Sequence, residues 1–269
     1  ALLKKRDYRV NREAIVRTLN NIGYHHFMLR DYAASAEHFR AAWRSAADPK
    51  INDLDGMFRA VMNMVNLYAY RIENGRIADS AARTELDELA RDIASYRAAY
   101  ETGRLETGLK QLEAAAKARR EAVTERQRDA LREKISTDAA AIYFSLDIAQ
   151  GIVTFYRAEL RYRAEFAGKE PPAAFDIYRH NRELYDLYAD ARSAFDAAVA
   201  NTSRVRSREF AVKLLLNRAI CQTRLAQYDE AADSYREAET IAEKFRLRSI
   251  LWEARFQAAV FLARHGQQT

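Results

Sequence analysis

The sequence predicts an all-α fold, and three observations carry that prediction. Eight Gly and three Pro stand among 269 residues, where ordinary usage would supply about 32 of the two together. The deficit removes the turn chemistry on which sandwiches, barrels and hairpins depend. Fifty residues are Ala, which leads the helix-propensity ranking because it loses no side-chain entropy on ordering. Apolar residues also recur at helical spacing along most of the chain. With 49% of residues apolar and 30% charged, the chain can bury a sizeable core and still be solvated, which excludes wholesale disorder. Its length exceeds what one small core needs, so either one large helical body or an array of stacked units is expected.

The elements follow in order. Leu19 to Tyr24 opens a helical stretch that continues past Asp31-Tyr32 through Ala36, Phe39, Ala42 and Trp43. Met62 to Arg83 forms a second such stretch, with Gly75 at its turn. Leu105, Leu109, Leu112 and Ala116 keep a narrow apolar stripe until the register meets Arg119 and Arg126. From there to Lys134 the pattern is that of an exposed helix laced with ion pairs, a solvent bridge or one partner of a coiled coil. Ser136 or Thr137 is the expected N-cap of a helix running to about Ala167, which Gly168-Lys169-Glu170-Pro171-Pro172 stops. A further helix is expected from about Ala173 to Ala200, with Phe175, Tyr178, Leu184, Tyr185, Tyr188 and Phe195 on overlapping apolar faces, and Asn201-Thr202-Ser203 as the next break. Leu215 to Ala238 repeats the helix pair of the first stretch. Leu247 to Arg264 closes the chain as an amphipathic helix with Trp252, Phe256, Val260 and Phe261, expected to cover the open end of the stack. The organisation read from this is residues 1–101, a charged connector 102–136, long amphipathic helices 137–205, and a last helical pair with its cap, 206–269.

The repetition is specific. Tyr32 set on Tyr228 brings Asn21 onto Asn217, Gly23 onto Ala219, Phe39 onto Tyr235 and Ala42 onto Ala238. These spacings resemble the tetratricopeptide repeat, a helix-turn-helix of about 34 residues. The resemblance covers residues 16–47 and 212–243, with a third, weaker copy at 62–83; neither good copy has the family's closing Pro, and Asn21 to Asn66 is 45 residues. It implies a right-handed superhelix of antiparallel helix pairs with irregular long helices in the middle. Gly23 and Ala219 would then let the second helix approach closely, and Tyr32 and Tyr228 would fill the wedge between helices. The family's concave face is lined by the first helix of each pair, where an Asn holds the backbone of an extended peptide. Asn21, Asn217 and Asn66 occupy that position, and an amide suits it because it both donates and accepts. The neighbouring concave positions are Arg17, Asn20, Tyr24 and Met28 in the first copy and Lys213, Ile220 and Arg224 in the second.

Charge and chemistry narrow the function classes. The net charge is +6, but the basic residues are interleaved with acids, as in Arg119-Arg120-Glu121, which suits a mixed solvated surface better than a nucleic-acid footprint. The run Phe155 to Arg163 interleaves aromatics with Arg, as single-strand binders do, yet Phe155, Tyr162 and Phe166 fall at core spacing. His25 and His26 are adjacent and point about 100° apart on a helix, His38, His180 and His265 stand alone, and no phosphate-cradling glycine motif occurs. Cys221, the one cysteine, is expected to be a buried, inert thiol. It fits a reducing compartment, with a cytoplasmic setting favoured and a periplasmic or lipid-anchored one left open. The chain starts Ala1-Leu2-Leu3-Lys4-Lys5 without Met, as a processed form or a piece cut from a longer protein would. No apolar run is long enough to span a bilayer. The expectation is a non-catalytic scaffold or adaptor, with no metal and no cofactor, that binds a partner protein or peptide. A small-molecule or lipid-binding module of a cell-envelope system is the alternative, RNA binding ranks below both, and homo-oligomerisation stays open.

Overall fold

In a computed structural model, residues 2–48, 53–166, 175–201 and 207–266 are described, and every regular element among them is a helix. The expected breaks at Gly168–Pro172 and Thr202–Ser203 lie outside the described residues. No single helix among the described residues is long and apolar enough to cross a membrane. The chain divides into two compact units, 1–149 and 150–269, with the division inside one long helix.

Unit 1 contains α1 (Leu2–Met28), α2 (Tyr32–Ala46), α3 (Leu54–Glu73), α4 (Asp79–Arg119) and the first part of α5 (Glu125–Glu165). From α1 to α4 each helix packs on the one before it, and α1 also meets α3. Asp31 starts α2 by accepting from the Ala34 N–H, and Asp53 starts α3 by accepting from the Gly56 N–H at 2.9 Å. Ala36, Phe39, Ala42, Trp43 and Ala46 form the buried face of α2 at three- and four-residue spacing. A Cβ at Gly23 would sit 2.6 Å from the Phe39 ring, so the bare backbone lets α2 close on α1. The Tyr32 ring lies 5.5 Å from Tyr70 and 6.0 Å from Phe27, between the first and third helices.

The segment expected to be a single connector is a hairpin of two long helices. Arg97 pairs with Asp147, the rings of Tyr100 and Tyr143 lie 5.9 Å apart, and Gly108 faces Leu131, so α4 and α5 run antiparallel. Leu105, Leu109, Leu112 and Ala116 are half-buried along this seam. Beyond it Arg132 bonds both Glu125 and Asp129 on the exposed side. The helix expected to start at Ser136 or Thr137 starts at Glu125, and Thr137 donates back to the Glu133 carbonyl from a helix interior. The cap is Thr124: its N–H donates to Gln127 Oε1 at 2.9 Å while its hydroxyl accepts from the Gln127 N–H at 3.3 Å. That reciprocal pair satisfies two donors at once and outcompetes a lone Ser or Thr further along.

Unit 2 holds the rest of α5 with α6 (Ile177–His180), α7 (Arg182–Ala200), α8 (Arg208–Arg224), α9 (Tyr228–Lys244) and α10 (Arg248–His265). The helix expected over 173–200 is broken at Asn181, whose extended backbone ends α6 and whose side chain caps α7 by accepting from the Leu184 N–H at 3.0 Å. Gly151 on α5 lies against Ala194 on α7. The core gathers Val212, Leu215, Leu216 and Ala219 from α8, Ala231, Tyr235 and Ala238 from α9, and Ile250, Ala254 and Phe261 from α10. The inward face of α10 is therefore not the expected one. Trp252 and Phe256 lie off this core and are 76% and 70% exposed, because Ile250, Ala254, Phe261 and His265 already fill the inner stripe.

Five described turns end a helix in one way, with a residue of positive φ: Arg30, Gly75, Arg120, Ala226 and Arg246, at 55° to 63°. In each, that residue's N–H returns to the carbonyl three before it, and the next N–H to the carbonyl five before it, as in Ala226 to Thr223 and Gln227 to Gln222. This closes the helix's orphan carbonyls. Only Gly75 takes the conformation without steric cost; an L side chain there costs about 1–2 kcal/mol.

Candidate functional site

The two good copies place equivalent residues in different surroundings. In unit 1, Arg17, Asn21, Tyr24 and Met28 follow one another at three- and four-residue steps and form one exposed stripe along α1. Tyr24 is 53% and Met28 61% exposed. The neighbouring face of α1, about 100° round the helix through Val16, Asn20 and Gly23, is buried. Asn20, expected on the concave face, belongs to this buried side: its Oδ1 accepts from Asn63 Nδ2 at 3.2 Å and its Nδ2 donates to the Val16 carbonyl at 3.3 Å. A self-satisfied amide between α1 and α3 holds the two helices together and has little left for a partner. Asn66, one turn beyond Asn63 on α3, is exposed.

In unit 2 the matching positions are Lys213, Asn217, Ile220 and Arg224 on α8, and all four are half-buried. Ile220 and Arg224 line a cleft of about 220 Å³, walled by Glu159 and Tyr162 of α5, Ile177 of α6, Tyr228 and Tyr235 of α9, and Phe256, Val260 and Phe261 of α10. Lys213 and Asn217 are outside it. The structure thus brings two of the four second-copy residues together.

The cleft has a polar floor. Arg224 Nε lies 3.4 Å from Glu159 Oε1, with the two side chains 17% and 12% exposed, and its guanidinium carbon is 3.7 Å from the centroid of the Tyr162 ring. The same carboxylate oxygen accepts from the Tyr188 hydroxyl at 2.7 Å. A charge pair this buried needs such added partners to offset its desolvation. Burial, and then the Glu159 charge, push the Tyr188 hydroxyl well above its usual pKa, and the same two causes raise the Cys221 thiol. Both groups are held neutral, and Cys221 has none of the exposed, electropositive setting of a nucleophilic thiolate. Burial raises Tyr235 to about 12. At the far end His265 stacks on Tyr228 with ring centroids 4.6 Å apart. Gln257 Nε2 donates to Glu253 Oε1 at 3.2 Å, which fixes the amide's orientation and leaves its Oε1 buried and without a hydrogen bond.

Ile220 and Arg224 are readable from the sequence only as expected partner-contact positions, and local spacing gives no sign that Glu159, Tyr162, Phe256, Gln257 and Arg264 share a cleft with them. A signal for two of them lay in the Phe155–Arg163 run, where Phe155, Tyr156 and Tyr162 are buried in unit 2 and Arg161 pairs with Glu183. No three of His, Cys, Asp and Glu among the described residues are placed to hold a metal ion. His26 and His38 stack at 5.2 Å, and His180 bonds Glu165. No family model and no curated protein matches the chain.

Proposed function

We propose that the chain is a non-catalytic adaptor that holds a partner protein or peptide on the α1–α3 face of unit 1, in a helical-repeat architecture of the tetratricopeptide type. The observation that carries this reading is the exposed stripe Arg17, Asn21, Tyr24, Met28 on α1, beside Asn66 on α3. Two large side chains, Tyr24 and Met28, stand in solvent while an adjoining face of the same helix is buried. Such paired exposure on one helix face supports the reading of a contact surface. The residue types suit such a surface, since Met adapts its shape to a partner, Tyr offers an apolar ring with a polar tip, and the amides bond peptide groups in either sense. Gly23 against Phe39, and Tyr32 between α1 and α3, are consistent with the repeat architecture. RNA binding is less favoured, because the aromatics of the Arg-rich run are in the core and not available for stacking.

The test is affinity capture with the full chain as bait, nuclease present, against a triple variant Asn21→Ala, Tyr24→Ala, Met28→Ala. All three positions are exposed, so the variant keeps the fold. A protein retained by the wild type and lost with the triple variant supports the reading. Retention that survives the triple variant moves the contact away from this face and overturns it.

A further inference from the structure

We propose that the exposed face of α10 is a self-association surface, on which a second copy of the chain packs its own α10 in the antiparallel sense to form a reversible two-fold dimer. It uses no residue of the α1 stripe and stands apart from the unit 1 reading.

A helix at the edge of a stack ordinarily turns an apolar face inward and a charged face outward. α9 follows that rule: Ala231, Tyr235 and Ala238 are in the core, while Asp233, Arg236 and Glu237 are exposed. α10 breaks it. Ile250, Ala254 and Phe261 fill its inner face, yet Ser249, Trp252, Phe256, Ala259 and Ala263 run along the other side, all exposed and none charged. Their steps alternate between three and four residues, which is the seam of a coiled coil and not the pattern of a solvated face.

The order of side chains along the seam selects the occupant. Its first half is large, with Trp252 and Phe256, and its second half is small, with Ala259 and Ala263. Laid against itself reversed, the seam sets Trp252 over the partner's Ala263 and Phe256 over the partner's Ala259, so each large side chain meets a small one. A parallel pairing would put ring on ring and methyl on methyl. Charge agrees with the reversal. Arg248 and Arg255 flank the seam on one side and Glu253 on the other, and the antiparallel register sets the two copies of Arg248 roughly 28 Å apart along the helix axis. Arg255 is already paired with Glu239 and Glu243 of α9. The area points to a modest affinity. At 76% and 70% exposure, Trp252 and Phe256 leave roughly 300 Å² in solvent. Symmetry doubles this to about half of the ~1,200 Å² at which stable interfaces begin. Val260 and Leu262, 43% and 55% exposed beside the seam, add to it.

Sedimentation equilibrium of the full chain, from about 1 to 500 μM, tests the proposal. A monomer–dimer equilibrium with Kd on the order of 10 μM is expected. Trp252→Ala is expected to weaken it about 100-fold, because symmetry removes the ring twice. Ala263→Trp alone sets two indoles against each other and is expected to abolish the dimer. The double variant Trp252→Ala, Ala263→Trp exchanges large for small and is expected to return to within about ten-fold of the wild type. Residues 252 and 263 lie roughly 16 Å apart along one helix, so that rescue has to come from the facing copy. Both positions are exposed, so the variants keep the fold, which circular dichroism checks. A wild type that stays monomeric at 500 μM overturns the proposal. So does a dimer indifferent to the single substitutions, which places the contact elsewhere, or a double variant that fails to recover, which rules out the antiparallel pairing.

Discussion

Met28 and Arg224 occupy the same place in two copies of one helical pattern, yet one stands in solvent and the other forms the floor of a cleft. The same holds for Tyr24 and Ile220. The difference lies in what each first helix has beside it. In unit 1 the outer stripe of α1 is left open by α2 and α3, which pack on the face beside it. In unit 2, α8 has α7 and α9 as its neighbours, α10 beyond them, and the side chains of Glu159 and Tyr162 across the cleft. One pattern therefore yields a surface where its flank is open and a pocket where it is walled. The macromolecular contact proposed for the stripe follows this division.

The sharpest way to break the comparison is to truncate the equivalent side chains. Arg224→Ala leaves Glu159 half-dry without its cation and is expected to destabilise unit 2 by about 3 kcal/mol, whereas Met28→Ala is expected to stay within about 0.5 kcal/mol. Urea unfolding followed by circular dichroism measures both, and equal losses would mean the two positions are not differently buried. Next comes the close approach beneath the second helix. Gly23→Ala puts a methyl group into Phe39 and is expected to cost about 1–3 kcal/mol. The reverse change in the other copy, Ala219→Gly, removes a fully buried methyl and is expected to cost about 1 kcal/mol. A neutral Gly23→Ala would show that α2 can shift outward freely.

A smaller effect, of opposite sign, is expected at the left-handed turns. Arg30→Gly and Ala226→Gly relieve the same backbone cost in the two copies and are expected to stabilise each by about 0.5–1 kcal/mol, the steric relief exceeding the entropy glycine adds to the unfolded chain. Differential scanning calorimetry reads the gain, and a loss in either variant would assign that side chain a packing role. The least contrast between the units is expected at alkaline pH. Burial raises Tyr68 and Tyr96 in unit 1 and Tyr188 and Tyr235 in unit 2 above the ordinary value of 10.0. A raised folded-state value favours the protonated form, so this contribution is complete below pH 10 and fades as the pH climbs through the folded values. Both units are expected to lose stability together above pH 10; a wide separation of their alkaline transitions would contradict this.

The fold class was readable because it depends on composition, and a chain so poor in Gly and Pro has few alternatives to helices. The stripe on α1 was readable too, since three- and four-residue spacing places Arg17, Asn21, Tyr24 and Met28 on one face whatever the rest of the chain does. Asn20 was misplaced because its neighbour in space is Asn63, a pairing between helices that local spacing does not encode. The inward face of α10 was misassigned for a similar reason: Phe256 and Phe261 both suit an apolar face, and only the packing of Ile250 and Ala254 on α8 and α9 decides between them. The turns hid for a different reason. Arg30, Ala226 and Arg246 fill positions where glycine is the usual marker, so the punctuation is in the backbone and not in the residue type. The Thr124–Gln127 capping box, by contrast, is a legible local signal, overshadowed by the Ser136-Thr137 pair.

The α4–α5 hairpin offers a practical handle. From Glu101 to Arg119 the outgoing arm rises roughly 28 Å past Tyr100, at 1.5 Å per helical residue. Its turn, with Arg120 and Glu121 exposed, lies well away from the buried residues of α1, α2 and α3. Exposed polar loop tips accept added sequence where their backbone is not woven into a core. An affinity tag, a fluorophore or a whole reporter domain inserted between Glu121 and Thr124 would ride on a long helical mast, in a segment that shares no residue with the α1 stripe or the unit 2 cleft.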